Sequence, residues 1–293
     1  MYRTALIYNP YAGRLRRDPW LLEAVVNRLG KDVRAMPTTG PGMAADLAKE
    51  AIEHRAERIV AFGGDGTIHE VANGMIGSRT PLGILPGGTA NVLSVELGLG
   101  TRVRRSATRL LELKPRRIAV AQYAAANQTP KYFLLMAGVG LDAQIVHTLN
   151  PTIKRHLGKA AYWIGGFSSV LRRLPEFEVR IGGETYRASF ALASRVRNYG
   201  GDLEIAPTVR LHEPEFEVVL FEGAWAFQYL RYFTGVLLKR LDRMPGVTLR
   251  RATSVEFPGA GPAQIDGEAA GHTPARIEIV PDALSLLMPD TYR

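Results

Sequence analysis

The sequence predicts two domains of different class: an α/β domain on a parallel sheet over residues 1–118, then an antiparallel β-sandwich over residues 119–283, with residues 284–293 returning to the first. Three observations predict this. Strand-like and helix-like segments alternate up to Arg117, as parallel strands joined by crossover helices require. Glycine-rich turns close the strand-like runs of that half. Beyond Arg117 the pattern becomes short apolar runs separated by Gly, Pro and Asn, as an antiparallel sandwich or barrel requires. A length of 293 residues also exceeds one average domain.

In the first half, Thr4 to Tyr8 is an apolar run ending in Asn9-Pro10. Arg58 to Phe62 ends in glycines, and Leu82 to Leu85 ends in Pro86-Gly87-Gly88. Helical patterns lie between and after them: Trp20 to Leu29, Met43 to Arg55, Ile68 to Met75 and Ala90 to Leu97. In the second half, strands are expected over Ile118 to Tyr123, Lys131 to Gly138, Glu176 to Ile181, Thr185 to Leu192, Glu215 to Phe221, Thr248 to Phe257 and Ala275 to Val280. Two helices interrupt them, over Ile153 to Leu174 and Trp225 to Arg243.

Composition excludes several function classes. There is no cysteine, hence no disulfide, no thiolate zinc site and no cysteine nucleophile, which fits a cytoplasmic protein. Met1-Tyr2-Arg3 leads straight into a strand-like run, so no signal peptide is expected. The longest apolar stretches fall far short of the roughly 20 residues of a membrane-spanning helix. Thirty-seven Lys+Arg against 28 Asp+Glu give a net charge of +9, which attracts polyphosphates or an anionic membrane surface. The basic residues fall in short groups without a zinc finger or basic tail, so nucleic acid is not an expected partner. Six histidines show no paired metal-ligand spacing, and neither GxSxG nor HExxH occurs.

The chemistry-bearing residues sit at the strand ends, where ligands bind in parallel sheets. Gly63-Gly64-Asp65-Gly66-Thr67 separates a strand from the helix carrying Ile68, His69 and Glu70. Glycines let a polyphosphate approach the backbone amides, and a helix N-terminus favours its negative charge. Asp65 would repel a phosphate unless it holds a cation or a hydroxyl. A tight turn explains a lone diglycine, but the added Asp-Gly-Thr between strand and helix points to a phosphate loop. Pro86-Gly87-Gly88-Thr89-Ala90-Asn91 repeats the arrangement, with Thr89 offering a hydroxyl and Asn91 able to cap or orient the loop. Asn9 to Gly13 and Thr38 to Gly42 supply two more such loops.

These loops resemble those of the diacylglycerol kinase catalytic-domain family, which includes sphingosine and ceramide kinases and bacterial soluble lipid kinases. The likeness continues through Gly138-Val139-Gly140-Leu141-Asp142-Ala143, Leu157 to Tyr162, Gly200-Gly201 to Pro207 and Asp266-Gly267-Glu268. The glycine-aspartate-glycine block alone also resembles NAD kinases and phosphofructokinases, which implies a Rossmann-like first domain of that type. By position, the resemblance implies that Asn9, Thr38, Gly63, Gly64, Asp65, Gly66, Thr67, Ile68, His69, Glu70, Gly88, Thr89 and Asn91 line ATP and Mg²⁺. It implies that Asp65 acts at the phosphates. It also implies that Glu268, beside Asp266, accepts the proton of the acceptor hydroxyl; on sequence grounds alone, Asp266-Gly267-Glu268 reads more readily as a polar hairpin turn.

Two positions depart from the family pattern. Bacterial members often hold a structural magnesium where an aspartate-glycine pair follows the segment at Pro207. Here Glu213-Pro214-Glu215 stands instead, leaving Glu213, Glu215 and a carbonyl near Arg210 as its ligand set, with geometry altered by the longer side chains and the rigid proline. Val92 replaces a common aspartate.

The resemblance implies a lipid hydroxyl, by default diacylglycerol, as acceptor. The alternatives are a NAD kinase-like enzyme and a silent lipid- or nucleotide-binding protein. Trp225, Phe227, Tyr229, Tyr232, Phe233, Leu237, Leu238 and Leu241 beside Lys239, Arg240 and Arg243 suit a helix on an anionic membrane. So do Tyr162, Trp163, Phe167 and Leu171 beside Arg172 and Arg173. Both sets equally suit helices packed on a β-sandwich. Peripheral membrane contact is therefore expected during turnover, and a homodimer is left open.

Overall fold

The computed structural model describes residues 2–126, 128–141, 143, 174–200, 203–223, 225 and 228–292. The chain divides into two units, Met1–Ala119 with Pro281–Arg293, and Val120–Val280.

In the first unit, β1 (Thr4–Tyr8), β2 (Val33–Pro37), β3 (Arg58–Gly63) and β4 (Leu82–Pro86) pair in parallel in the order β2-β1-β3-β4. Near-continuous apolar runs make β1, β3 and β4 buried on both faces, as parallel strands covered by helices must be. The covering helices are α1 (Gly13–Arg17), α2 (Leu21–Leu29), α3 (Met43–Glu53), α4 (Asp65–Met75), α5 (Val92–Glu96) and α6 (Val103–Leu110). One core joins Leu6, Val60, Phe62 and Leu85 of the sheet to Val25, Leu29, Val103 and Leu110 of the helices. Each such side chain contributes roughly 1.5–3 kcal/mol on burial.

The C-terminal segment belongs to this unit for identifiable reasons. Leu286 pairs in parallel with Leu82, and Leu287 enters the same core. Tyr292 donates its hydroxyl to the buried Glu96 carboxylate at 2.7 Å, while Lys114 and Arg117 pair with Asp290 and Asp282.

The second unit is antiparallel. β7 (Met136–Gly140), β10 (Phe190–Ser194), β11 (Phe216–Phe221), β12 (Val247–Ala252), β13 (Ser254–Ile265) and β14 (Glu268–Met288) follow the order β12-β11-β10-β7-β13-β14. β5 (Lys114–Ala125) pairs with β6 (Lys131–Phe133), and β8 (Phe177–Ile181) with β9 (Glu184–Ala188). Phe133, Phe216, Phe257, Val179, Leu220 and Ile265 lead its core.

Three expected strands are each two. Lys131 to Gly138 breaks at Leu134-Leu135, because the amides of Leu134, Leu135 and Met136 all turn to the Asp266 carboxylate, at 3.0, 2.9 and 3.0 Å. Thr185 to Leu192 breaks at Ser189, whose amide and hydroxyl bind the end of β11 and the residues beyond it. Thr248 to Phe257 breaks at Thr253, whose carbonyl accepts the Ile279 amide.

Of the two expected helices, Ile153 to Leu174 lies outside the described residues except for Leu174. The other is shorter, α7 (Gln228–Leu237). Tyr229 and Tyr232 pack α7 on the sheet against Phe190 and Phe221 at ring separations of 5.3 to 6.4 Å. Burial pushes the Tyr229 phenol well above its usual range, with a partly opposing hydrogen bond from Ser189. The far end differs: Leu237 and Leu238 are exposed, as is Trp225 ahead of the helix. No helix among the described residues is long and apolar enough to cross a membrane.

Candidate functional site

Strand register brings four loops to one rim of the first unit. Tyr8 lies level with Pro37 and Phe62, Phe62 with Leu85, and Gly63 with Pro86. The loops beginning at Asn9, Thr38, Gly64 and Gly87 therefore start at the same height on the carboxyl edge, the ligand-binding edge of parallel sheets.

Gly64 is the extended N-cap of α4, and Asp65 is its first residue. The orphan amides of that first turn and the positive end of the helix dipole suit an anion. Thr67 packs beneath Gly63, where a Cβ would lie 2.5 Å from its own Cβ. Ile68 is a core side chain, 2% exposed, so it offers a ligand only its backbone. His69 lies with its Nε2 3.4 Å from Asn73 Nδ2, and that amide also donates to the His69 carbonyl at 2.9 Å. The Glu70 carboxylate accepts the amide of Ala44 at 3.2 Å, which caps the first turn of α3 and ties the second rim loop to α4.

The Gly63-Gly64 and Gly87-Gly88 loops touch backbone to backbone. Gly87 donates its amide to the Gly63 carbonyl at 2.7 Å. A Cβ on Gly87 would lie 2.9 Å from Gly63 Cα, and one on Gly88 would lie 2.6 Å from Gly64 Cα. Only glycine fits, because backbone cannot step aside. Asn91, fully buried, clamps Gly88 from both sides: its Oδ1 accepts the Gly88 amide and its Nδ2 donates to the Gly88 carbonyl, each at 2.8 Å. The Gly88 amide is thus committed to Asn91, while the Thr89 side chain is exposed on the rim. Asn9 accepts the Tyr11 amide at 2.8 Å and donates its own amide to Phe62 at 3.1 Å, and the buried Thr38 is tied to the Tyr8 carbonyl at 2.9 Å. Gly88→Ala is expected to cost roughly 1–3 kcal/mol of stability through overpacking, read by denaturant unfolding.

Arg14 was not apparent from the motifs. Its guanidinium donates to the carbonyls of Gly88, at 3.3 Å, and Thr101. It borders a cavity of about 490 Å³ also lined by Arg17, Asp18, Arg102, Arg104 and Arg105. Burial, then the charge of Arg17, lowers the Arg14 pKa. Arg104 is neutralised by Asp18 at 3.3 Å, which leaves the recess strongly positive.

In the second unit, Asp266-Gly267 is the two-residue turn between β13 and β14, with Ile265 paired to Glu268. Both turn residues have positive φ, +47° and +83°, as the type I′ hairpin turn requires of an Asp-Gly pair. Asp266 is buried under the three amides of Leu134, Leu135 and Met136, and Gln264 accepts the Gly267 amide at 2.8 Å. Glu268 is exposed at the start of β14. Asp266→Ala would strand three buried amides, so a loss of roughly 3 kcal/mol or more is expected, read as a lower urea midpoint.

The set Arg210, Glu213 and Glu215 does not fit a magnesium ion. Arg251 on β12 holds both carboxylates, Glu213 at 2.5 Å and Glu215 at 2.9 Å. The Arg210 carbonyl accepts the Glu213 amide at 3.0 Å. Among the described residues, no group of three His, Cys, Asp or Glu side chains could hold a metal ion. Asp142, the 157–162 block and Gly201 lie outside the described residues, as do Tyr162, Trp163, Phe167, Leu171, Arg172, Arg173 and Phe227.

A parallel sheet whose carboxyl edge carries interlocked glycine loops is followed in the chain by an antiparallel β unit. Residues 3–123 match the diacylglycerol kinase catalytic domain, and residues 136–288 match the YegS C-terminal NAD kinase beta sandwich-like domain. The chain is 26% identical to the diacylglycerol kinase of Bacillus subtilis (strain 168), over 99% of this chain and 97% of that one. It is 30% identical to a Chromohalobacter salexigens protein named "Probable lipid kinase YegS-like", over 98% and 93%. A solved structure from Bacillus anthracis str. Sterne shares the fold with a TM-score of 0.82 at 24% identity, covering 99% of this chain and 96% of that one. The chain belongs to the diacylglycerol kinase catalytic-domain family, in the form that carries the YegS-type C-terminal domain. Membership implies phosphotransferase chemistry that uses ATP.

Proposed function

We propose that this protein transfers the γ-phosphate of ATP to a lipid hydroxyl, with diacylglycerol as acceptor and phosphatidic acid as product. The observation that carries the reading is the glycine rim: two interlocked diglycine loops, with Asp65 opening α4 beside them. The diacylglycerol kinase names of the relatives, among them that of B. subtilis, support the choice of acceptor.

In this reading the triphosphate lies against the first turn of α4, with Thr38 and Thr89 on its flanks. Magnesium arrives with ATP as part of the substrate, and Asp65 holds that cation or orients a hydroxyl, since a bare carboxylate there would repel phosphate. Glu268 takes the proton from the lipid hydroxyl. The lipid oxygen forms its bond to the γ-phosphorus as the bond to the β–γ bridging oxygen breaks and ADP leaves. Asp266 is a positioning residue: its three amide bonds fix the hairpin that carries Glu268.

Peripheral membrane contact belongs to the same reading. Trp225, Leu237 and Leu238, exposed near Lys239 and Arg240, suit the headgroup region of an anionic bilayer, and Tyr11 and Trp20 beside Arg16 and Arg17 form a comparable group in the first unit. Cytoplasmic location is proposed on the cysteine-free composition.

The second reading, a nicotinamide-nucleotide kinase, draws on the NAD kinase-like description of the C-terminal domain. One assay separates them: transfer of label from γ-labelled ATP across a panel of lipids in mixed micelles, with NAD as a parallel acceptor. Label in phosphatidic acid supports the lipid reading; label in NADP alone removes it.

A further inference from the structure

The loop between Ala206 and Glu217 is held by arginines of the same chain. Arg195, fully buried after β10, donates to the carbonyls of Leu211 at 2.7 Å, Glu213 at 2.6 Å and Glu215. Arg251 binds the side chains of Glu213 and Glu215 and, through Nη1, the Thr208 carbonyl at 2.9 Å. Arg210 turns back onto the carbonyls of Pro207 and Val209 at 2.9 and 2.8 Å. Below them the buried Glu217 carboxylate takes the amide and hydroxyl of Thr208, at 3.0 and 2.8 Å. Three guanidinium groups therefore bind six backbone carbonyls of this loop and one oxygen of each of the Glu213 and Glu215 carboxylates.

Magnesium requires near-octahedral oxygen ligands at about 2.1 Å, and calcium six to eight. Here one oxygen each of Glu213 and Glu215 is bound by the same guanidinium, whose positive charge repels a divalent cation from both carboxylates. Partial burial works against the charge on Arg251, but its bonds and attraction to Glu213 and Glu215 outweigh it and raise its pKa.

We propose that arginine replaces the structural divalent cation in this chain: Arg195 and Arg251 hold the 207–217 loop, which needs no metal ion to fold. The inference concerns the loop alone and does not rest on the lipid kinase reading, because its tests read folding and metal binding rather than turnover.

The first test is thermal unfolding of the full chain, without nucleotide, in EDTA and in millimolar MgCl₂ or CaCl₂. A resident cation present at a hundred times its dissociation constant would raise the midpoint by roughly 5 °C or more. The expected result is a midpoint unchanged to about 1 °C, within what weak surface ion effects produce. Equilibrium dialysis against Mn²⁺ without nucleotide is expected to find no tightly bound ion. The second test substitutes Arg251. Arg251→Gln leaves two carboxylates facing each other and is expected to lower the midpoint by roughly 2–4 °C, with Arg251→Lys intermediate. If Arg251→Gln does not fold, the lysine variant and the dialysis still decide. A wild-type midpoint that falls on chelation, one tightly bound Mn²⁺ per chain, or an Arg251→Lys protein as stable as wild type would each overturn the proposal.

Discussion

Asp65→Ala is expected to lower the turnover of ATP-dependent lipid phosphorylation at least about a hundredfold, equivalent to roughly 2.7 kcal/mol of transition-state stabilisation. Its structural cost is far smaller. A carboxylate in the first turn of an α-helix is worth about 0.3–1 kcal/mol to the helix, so the melting temperature should move by only a few degrees. These magnitudes separate the roles. Collapse of activity in a folded protein places Asp65 at the phosphates; activity near that of wild type removes it from the mechanism; a loss that merely tracks unfolding makes it a helix cap. Labelled-ATP turnover and thermal unfolding on the same preparation give all three readings.

Glu268→Gln is expected to lower kcat by at least about a hundredfold, within the 10²–10⁴ range of general-base catalysis, while the KM for ATP stays close to wild type. The substitution keeps shape and removes the basic oxygen. Glu268 is exposed at the mouth of a type I′ turn, so stability should change by no more than about 0.5 kcal/mol. The neighbouring Asp266 gives the opposite profile. Its loss should lower stability first and activity as a consequence, because it anchors β6, β7 and the hairpin together through three backbone amides. A kcat unaltered in Glu268→Gln would leave the acceptor hydroxyl without its proposed base.

The rim was legible in the sequence because each of its causes is local. An apolar run closed by glycine marks a buried strand end, and a helical pattern after it marks the crossover. What the sequence does not disclose is contact between segments distant along the chain. Nothing at Gly88 says that its missing Cβ makes room for Gly64, or that its amide is reserved for Asn91. The break between β6 and β7 is invisible at Leu134 because its cause lies at Asp266, 132 residues away. Arg195 and Arg251 read as ordinary charges, yet one is wholly buried under carbonyls and the other joins two glutamates. Tyr229 and Tyr232 show the ambiguity of aromatic helices: periodicity admits both a membrane face and a core face, and the packing against Phe190 and Phe221 assigns these two rings to the core.

The most direct measurement is a crystal structure of the chain grown with magnesium and a non-hydrolysable ATP analogue. Triphosphate density is expected along the first turn of α4, beside Asp65 and Thr89. Nucleotide bound anywhere else, with that turn bare, would contradict that placement.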